Sequence, residues 1–461
     1  MHSNGTSAET LDTDVVIIGG GASGTYAAVR LRDDYGLRVT VIEEKNRLTE
    51  QGGHADAVAI KGVPINLGLM AYLDRKTTED FFARFGIPLV DIAFPSEEEY
   101  DFLNVDLATG APVEPAPLGD PIQALAVYFG LCVQYYPYIK DGYFLPPPGP
   151  ALDDLTMPFG EFLKKYDIEA AIPIMRQLLT YGDALNTPTL FMMGCFGLPQ
   201  LTALNPATSQ SMKFPATGNT QSLFEAALAH LGEDVLLSST VLKVTRDNHS
   251  RPVTVQVKSG GCYKTVRAKK ILVTVPPTLK TLQWLDLCPE ESSVFGKWSW
   301  ETLYVGAVEN TGLRPNIFSV LGLSSNPELP FYPKKPFVQT YMSSKLPGLY
   351  TSRVIGEDNL EPDEAQKLLL DGITKVGGNP DSKIVAFGVH NPTCLVVSGE
   401  ELKDGFFEKL YSLQGQRSTW WTGLAWAPDY SSIIWDFTEA LLPQIVNSVE
   451  DTQSGDRASR L

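Results

Sequence analysis

Cysteine is scarce in this chain. Five occur among 461 residues (Cys132, Cys195, Cys262, Cys288 and Cys394), widely spaced and without a CxxC pair. An odd and dilute set argues against a disulfide framework. Histidine is as scarce, with five scattered residues and no HExxH, so no metal site is expected. Basic charge is in deficit. Thirty-seven Lys and Arg face 54 Asp and Glu, a formal net charge of −17. No basic excess exists to neutralise phosphates, which argues against nucleic acid and against an anionic membrane surface as partners. Long apolar runs are missing too. The longest, Ala124–Val133, is well short of the ~18 residues of a membrane span, so no transmembrane segment is expected. The polar start MHSNGTSAETLDTD shows no signal peptide, and the expected location is the cytoplasm. The sequons at Asn4 and Asn248 carry little weight, because such triplets arise often by chance. A small molecule is the expected partner, and the oligomeric state stays open.

What is present is an ordinary globular composition, 43% hydrophobic and 20% charged, with length for two or three domains. The chain opens with a polar leader. Residues 13–44 then read as strand, turn, helix and strand. Val15–Ile18 is apolar throughout, as a buried parallel strand is. Ser23–Asp33 reads as a helix and Val39–Glu43 as a second, β-branched strand. Thr77–Phe85 looks helical, and Tyr100–Pro121 looks irregular. "LPPPGP" (Leu145–Pro150) is a stiff linker. Residues 156–195 form a mostly helical insert. Gln221–Leu231 is an amphipathic helix, and Val235–Val275 reads as several strands. A helix is expected over Pro362–Val376, and the last ordered segment, "STWWTGLAWAPDYSSIIWDFTEALLPQIV", reads as strand, loop and helix. No internal repeat is visible.

The informative stretch is "DVVIIGGGASGTYAAVRL", Asp14–Leu31. Gly19, Gly21 and Gly24 satisfy GxGxxG. The first allows a tight turn, the second lets phosphates approach the backbone, and the third lets the helix pack on the strand. Ala22 and Ser23 open the helix, whose N-terminus offers N–H groups and a positive dipole end to a pyrophosphate. The motif follows an apolar strand and precedes an acid, Glu43, at the end of the second strand. A carboxylate there accepts hydrogen bonds from the adenosine ribose and repels a 2′-phosphate, which disfavours NADP. Glu44 reads as a surface residue.

The loop "EEKNRLTEQGGH" then supplies Glu43, Arg47, Gly52 and Gly53. This resembles the E-x3-R-x-G-G signature of the FAD-containing amine oxidase and phytoene desaturase superfamily. Three extra residues, Thr49–Gln51, depart from it. The resemblance implies FAD, with the glycine pair and Arg47 near its pyrophosphate. "VPINLGLM" is similar to the family segment beside the isoalloxazine ring, which implies Gly68, Leu69 and Met70 as cofactor contacts. "HLGEDVLLSSTVLKV" resembles the adenine-contacting strand and implies Val241. "WWTGLAW…SSIIWDF" resembles the C-terminal flavin motif. It implies Gly423 near the ribityl chain and a helix starting near Ser432 and Ile433 aimed at the flavin. Leu424 stands where the family often has an acid, so one ribityl contact is lost. The match runs from about residue 13 to 448. It is nearest to two branches, the β-cyclopiazonate dehydrogenase-like oxidoreductases of secondary metabolism and the flavin-dependent fatty-acid double-bond isomerases. No cysteine lies in the C-terminal motif, so FAD is expected to be non-covalent. His54 follows the glycine pair and reads as a polar residue of the cofactor cleft.

The implied fold is α/β: a Rossmann-like FAD-binding domain with a discontinuous α+β substrate domain, as in amine oxidase-like two-domain flavoproteins. The expected division is a disordered leader (1–12), an FAD-binding domain (13–75, 206–285 and 405–449), a substrate domain (76–205 and 286–404) and a disordered tail (450–461). No triad announces a catalytic base. Tyr181, Lys213 and Trp426 are the candidates, with Asp183 and Tyr72 beside them, and each also fits a structural role. The Met- and aromatic-rich "YFGLCVQYYPYI" and "LFMMGCFGL" suit either a core or an apolar substrate pocket. The expected activity is that of a soluble FAD oxidoreductase dehydrogenating a C–C or C–N bond of an apolar or aromatic small molecule, with or without cyclisation. Oxygen is the expected electron acceptor. A redox-neutral double-bond isomerase and a non-catalytic flavin-binding protein are the alternatives.

Overall fold

In a computed structural model, the described residues are 9–48, 55–68, 71–92, 101–106, 109–113, 118–176, 179–205, 211–246, 252–314, 317–323, 333–344 and 346–458. Their architecture is mixed α/β, built on two large sheets. The first has seven strands. Glu9–Ile18 lies at its centre, parallel to Val39–Ile42 on one side and to Cys262–Val273 on the other. Val235–Leu236 extends it beyond Val39–Ile42, again in parallel. Val253–Ser259 and Ser239–Thr245 add an antiparallel hairpin. The late strand Thr419–Trp421 returns to pair in parallel with Ile271–Val273. Val15–Ile18 and Ile271–Val273 are buried, which is why these strands read as unbroken apolar runs rather than alternating ones.

The helix Ala22–Asp33 follows the first strand and packs against the C-terminal helix Ser431–Ala458. Tyr26 stacks on Trp435, with ring centroids 5.7 Å apart. The Trp435 indole N–H donates to the Ala22 carbonyl at 3.0 Å, and the Tyr26 hydroxyl donates to Glu439 at 2.8 Å. The end of the chain is thereby fastened to its beginning.

The second sheet also has seven strands, in the order Lys383–Val396, Ser299–Glu309, Leu349–Glu357, Phe337–Ser343, Ile317–Leu323, Asp101–Asp106 and Ala111–Pro112. Alternation along Ser299–Glu309 sorts its two faces. Tyr304 and Val308 join Val354 and Tyr341 beneath the helix Pro362–Lys375, which buries Leu369 and Ile373 there. Leu303, Val305 and Ala307 look the other way, toward Ile65 of the hairpin Ala57–Ile60 and Val63–Asn66 and Leu67 just after it. A three-stranded sheet (Tyr72–Leu73, Met212–Pro215, Leu89–Asp91) and helices between Pro121 and Leu204 complete the fold.

Three expectations are corrected. The first strand already begins at Glu9, inside the region read as a disordered leader, because residues 9–13 pair with residues 264–268. The last helix runs to Ala458, through most of the region read as a disordered tail. Tyr100–Pro121 is not wholly irregular. Asp101–Asp106 pairs in parallel with Ile317–Leu323, a partner too distant in sequence to be read locally.

Candidate active site

The glycine turn is built as its spacing requires. Gly19 adopts φ +103°, and its N–H donates to the Ile42 carbonyl at 3.0 Å. A Cβ on Gly24 would lie 2.0 Å from the Gly19 carbonyl oxygen, so only glycine lets the helix sit this close to the strand end. Gly21, the N-cap of the helix, differs. Its φ of −68° suits any residue, and a Cβ there would meet nothing within 4 Å. The open space in front of Gly21 belongs to a cavity of about 270 Å³ that Gly21, Ala22 and Ser23 line. Open space at a helix N-terminus, kept clear of side-chain atoms, fits a diphosphate.

Glu43 sits beside it. One carboxylate oxygen accepts from the Gly20 N–H at 2.6 Å and the other from the Lys45 N–H at 2.8 Å. Burial pushes its pKa up, and these two N–H groups pull it partly back. A carboxylate has about four acceptor sites, so capacity is left for ribose hydroxyls. Backbone bonds bring the adenine-side segment to it: the Glu43 N–H donates to Leu236 and its carbonyl accepts from Ser239, both at 2.9 Å. Val241 lies two residues on, half-buried, where the pairing with Val253–Ser259 shifts register. Gly423 closes the cradle from the far end of the chain. It adopts φ +114°, and a Cβ on it would lie 2.9 Å from the Thr274 carbonyl and 3.6 Å from the Ser23 hydroxyl. Arg47 donates to the Asp56 carboxylate at 2.7 Å and to the Ala57 carbonyl at 3.1 Å. It thus ties the hairpin to the cradle. Gly52, Gly53, His54, Leu69 and Met70 lie outside the described residues.

The same cavity continues onto the second sheet. Leu303, Arg353, His390 and Thr393 line it from one face. The register explains why they meet: Leu303 is directly opposite His390, Glu301 opposite Thr393, and Val305 opposite Arg353. Gly68 lines the cavity where the hairpin ends, next to Leu67, whose carbonyl lies 2.6 Å from His390 Nε2. A carbonyl only accepts, so Nε2 carries the hydrogen. A side wall comes from Thr180, Tyr181, Cys195 and Phe196. Glu301 holds that wall, accepting from the Gly182 N–H at 2.7 Å and the Asp183 N–H at 3.1 Å and binding Lys335 at 2.8 Å.

Several predicted residues are placed elsewhere. Of the three catalytic candidates only Tyr181 lines the cavity, and burial raises its pKa well above the ordinary tyrosine value, so it stays protonated and is no base. Lys213 lies outside the cavity lining. Along Met212–Pro215 successive side chains alternate, so Met212 faces the cavity while Lys213 pairs with Asp91 at 2.9 Å and Asp74 at 3.4 Å. Trp426 is fully buried and stacks on Trp421 at 6.0 Å, also outside that lining. Ser432 and Ile433 do not face the cavity either. The Ser432 hydroxyl accepts from the Leu73 N–H at 3.0 Å, and it is Ser431 and Ile434, three apart on the helix, that reach the cavity. Of the Met- and aromatic-rich segments, Cys195 and Phe196 reach the cavity, while Tyr128, Tyr135, Met192 and Met193 are core. Arg353, His390, Thr393 and Thr274 were not foreseen. The one readable signal was a charged residue on the inward-facing phase of "LYTSRVIGE".

Comparison with known proteins agrees with this fold. Residues 17–85 match the family model of an NAD(P)-binding Rossmann-like domain. The chain is 33% identical over 448 residues to β-cyclopiazonate dehydrogenase of Aspergillus oryzae, covering 95% of this chain and 94% of that protein. It is 32% identical over 445 residues to the FAD-dependent oxidoreductase pigF of Monascus ruber, covering 94% and 91%. Among solved structures, a CLA-producing fatty acid isomerase from P. acnes superposes with a TM-score of 0.74 at 20% identity, covering 94% of this chain and 98% of that one.

Proposed function

The chain belongs to the family of FAD-dependent oxidoreductases that includes β-cyclopiazonate dehydrogenase, and on that premise we propose that it dehydrogenates a C–C or C–N bond of an apolar or aromatic small molecule in secondary metabolism. What carries this reading is one continuous cavity, lined at one end by Gly21–Ser23 and at the other by Leu303, Arg353 and His390. FAD, held non-covalently, supplies hydride acceptance at N5, with oxygen as the final electron acceptor. Gly21, Ala22 and Ser23 would hold its diphosphate and Glu43 its ribose, and Gly68 and Ser431 line the space left for its ring. Ile92, Phe196, Met212, Leu303, Leu424 and Ile434 exclude water from the reacting carbon and orient an apolar substrate. Where a proton leaves with the hydride, His390, the imidazole in the cavity wall, is the candidate to receive it.

An absorption spectrum of the purified protein before and after acid precipitation tests the cofactor. Flavin that moves wholly to the supernatant supports the non-covalent reading. Anaerobic addition of apolar amines and polyenes tests the chemistry. Bleaching by a substrate with recovery in air, matched by oxygen uptake, is the expected result. Turnover without bleaching or oxygen uptake would replace dehydrogenation with redox-neutral isomerisation. A colourless protein that FAD cannot reconstitute would sink the reading.

A further inference from the structure

The short helix Leu198–Leu204 divides two hollows. Leu198, Pro199, Thr202 and Ala203 line an outer one, and of the seven helix residues Gln200 alone lines the main cavity. The hydrogen bonds orient its amide. Oε1 accepts from the Gly197 N–H at 3.0 Å, a task only the oxygen can perform, so the nitrogen is the end turned away. The turn that carries it is tightly held. A Cβ on Gly197 would lie 2.0 Å from the Met193 carbonyl oxygen, and the Leu201 N–H donates to the Gly197 carbonyl at 3.0 Å. Gln200 is 1% exposed, and its Nε2 has no hydrogen-bond partner among the described residues. The Tyr430 hydroxyl is close enough to feel this amide. Burial raises the Tyr430 pKa and the amide pulls it partly back, while the hydroxyl hydrogen itself goes to the Cys195 carbonyl at 3.0 Å. An amide nitrogen carries two hydrogens, so even with one directed at Tyr430 another is left without an acceptor. Buried donors left unmatched are costly, and native structures contain few. Capping the helix accounts for the oxygen of this side chain and leaves its nitrogen unexplained. The wall of the same cavity includes Ile92, Phe196 and Met212, whose side chains offer it no oxygen.

We infer that Gln200 is an oxygen-recognition subsite: its Nε2–H donates to a neutral carbonyl oxygen, that of a ketone, ester or lactam, carried by an otherwise apolar substrate. An uncharged donor suits an uncharged oxygen, because neither side has an ion to strip of water. One such bond fixes the orientation of the molecule while its apolar body lies against Phe196, Met212 and Leu303. It also selects. An analogue without the oxygen leaves the buried donor unpaired, and a site built to hydrogen-bond rejects such analogues strongly. The inference deepens the reading above and rests on it only in taking the cavity as the substrate site.

Calorimetric titration of the FAD-loaded protein with benzylacetone, and with its isostere carrying C=CH2 in place of C=O, tests the inference. The ketone gives up hydrogen bonds to water on binding, so a wall without a donor prefers the alkene. The ketone is expected to bind at least as tightly as the alkene. Gln200→Met is expected to lower the ketone-to-alkene affinity ratio by about tenfold, with the affinity for the alkene and the flavin spectrum unchanged. Isotope-edited infrared spectra of the bound ketone add a signature that a purely structural glutamine would not produce. The C=O stretch is expected below its value in hydrocarbon solvent and is expected to move back up in Gln200→Met. Tighter binding of the alkene, binding of neither ligand, an unshifted stretch, or a ratio that survives Gln200→Met would each overturn it. The affinity comparison and the stretch are read first on the unsubstituted protein, so a variant that fails to fold does not remove the test. A protein without flavin would sink the oxidoreductase reading alone, because the same titration still compares the two ligands.

Discussion

The two large sheets present chemistry in different ways. The parallel sheet works through turns at the carboxyl ends of its strands, where Gly19, Gly21, Glu43 and Thr274 gather, and most of what it offers is backbone. The antiparallel sheet works through one of its faces. Leu303, Arg353, His390 and Thr393 project from three strands into the same cavity, and what they offer is side chains. A backbone cradle tolerates no added atoms but is indifferent to most neighbouring side chains. A side-chain face can be repainted residue by residue while the sheet stays the same. The first arrangement suits an invariant ligand such as a dinucleotide, and the second suits substrates that differ between relatives sharing one fold.

The sharpest way to break this contrast is to add side-chain carbon to the cradle. Gly24→Val is expected to abolish folding or flavin binding outright, because even its Cβ would lie 2.0 Å from the Gly19 carbonyl. Gly21→Ala places its Cβ in open space at φ −68°, so the apoprotein keeps its melting temperature. Its FAD affinity is expected to fall by about ten- to a hundredfold, equivalent to ~1.4–2.8 kcal/mol. Thermal melts of the apoproteins and FAD titrations of both variants check the pair. If Gly21→Ala binds FAD normally, the space before that helix is not the diphosphate site.

A buried arginine outside the cavity lining sharpens the comparison next. The Arg246 side chain, fully buried, binds Asp286 at 2.7 Å and Glu291 at 2.8 Å, in a cluster that Arg417 joins. Arg246→Met leaves the buried Glu291 to the Cys288 N–H and the longer Arg417 contact, at 3.3 Å, and is expected to cost up to about 3–5 kcal/mol in denaturant melts. An unchanged melt would mean that the cluster is not scaffolding. His390→Gln comes next in size. A glutamine can still donate to the Leu67 carbonyl but has no basic nitrogen. It is expected to slow anaerobic flavin reduction by a factor of about 10²–10⁴ for a substrate that also sheds a proton, with FAD affinity unchanged. An unaltered reduction rate would remove His390 from the chemistry.

The same contrast explains what could be read from the chain. Gly19, Gly21, Gly24 and Glu43 lie within 25 consecutive residues, and their order encodes the geometry directly. The helix phase at Ser431–Ile434 was misread by one position, because nothing local says which side of a helix faces a neighbour until Leu73 is seen to hold Ser432. Lys213 was misread for a similar reason. Its phase along a four-residue strand is set by Asp91 and Asp74, which come from elsewhere. Trp426 was placed at the flavin by its nearness to Gly423 in sequence, but its ring turns into the core against Trp421. The side-chain face of the cavity was the least legible part. His390 meets Leu303 through a pairing across more than 80 residues, interrupted by register shifts that no periodicity reveals.

The last test concerns a charged side chain of the cradle, Glu43. Burial raises the folded-state pKa of Glu43 above its unfolded value, so folding favours the neutral form. That contribution to stability is complete below the unfolded pKa of about 4.3 and is lost as pH rises through the folded value. Ribose hydroxyls, by contrast, donate to the carboxylate and favour its charged form. Apoprotein stability and FAD affinity are therefore expected to move in opposite directions across the same window, stability falling and affinity rising with pH. Glu43→Gln removes both slopes and is expected to weaken FAD by about 1.5–3 kcal/mol at neutral pH. Melts and titrations read as differences between the two proteins cancel the acid unfolding they share. If the affinity slope persists in Glu43→Gln, the ribose is held by another group and the cradle is more purely backbone than its geometry suggests. If it vanishes while the apoprotein slope remains, Glu43 contacts the ribose but is not the buried acid that tunes the fold.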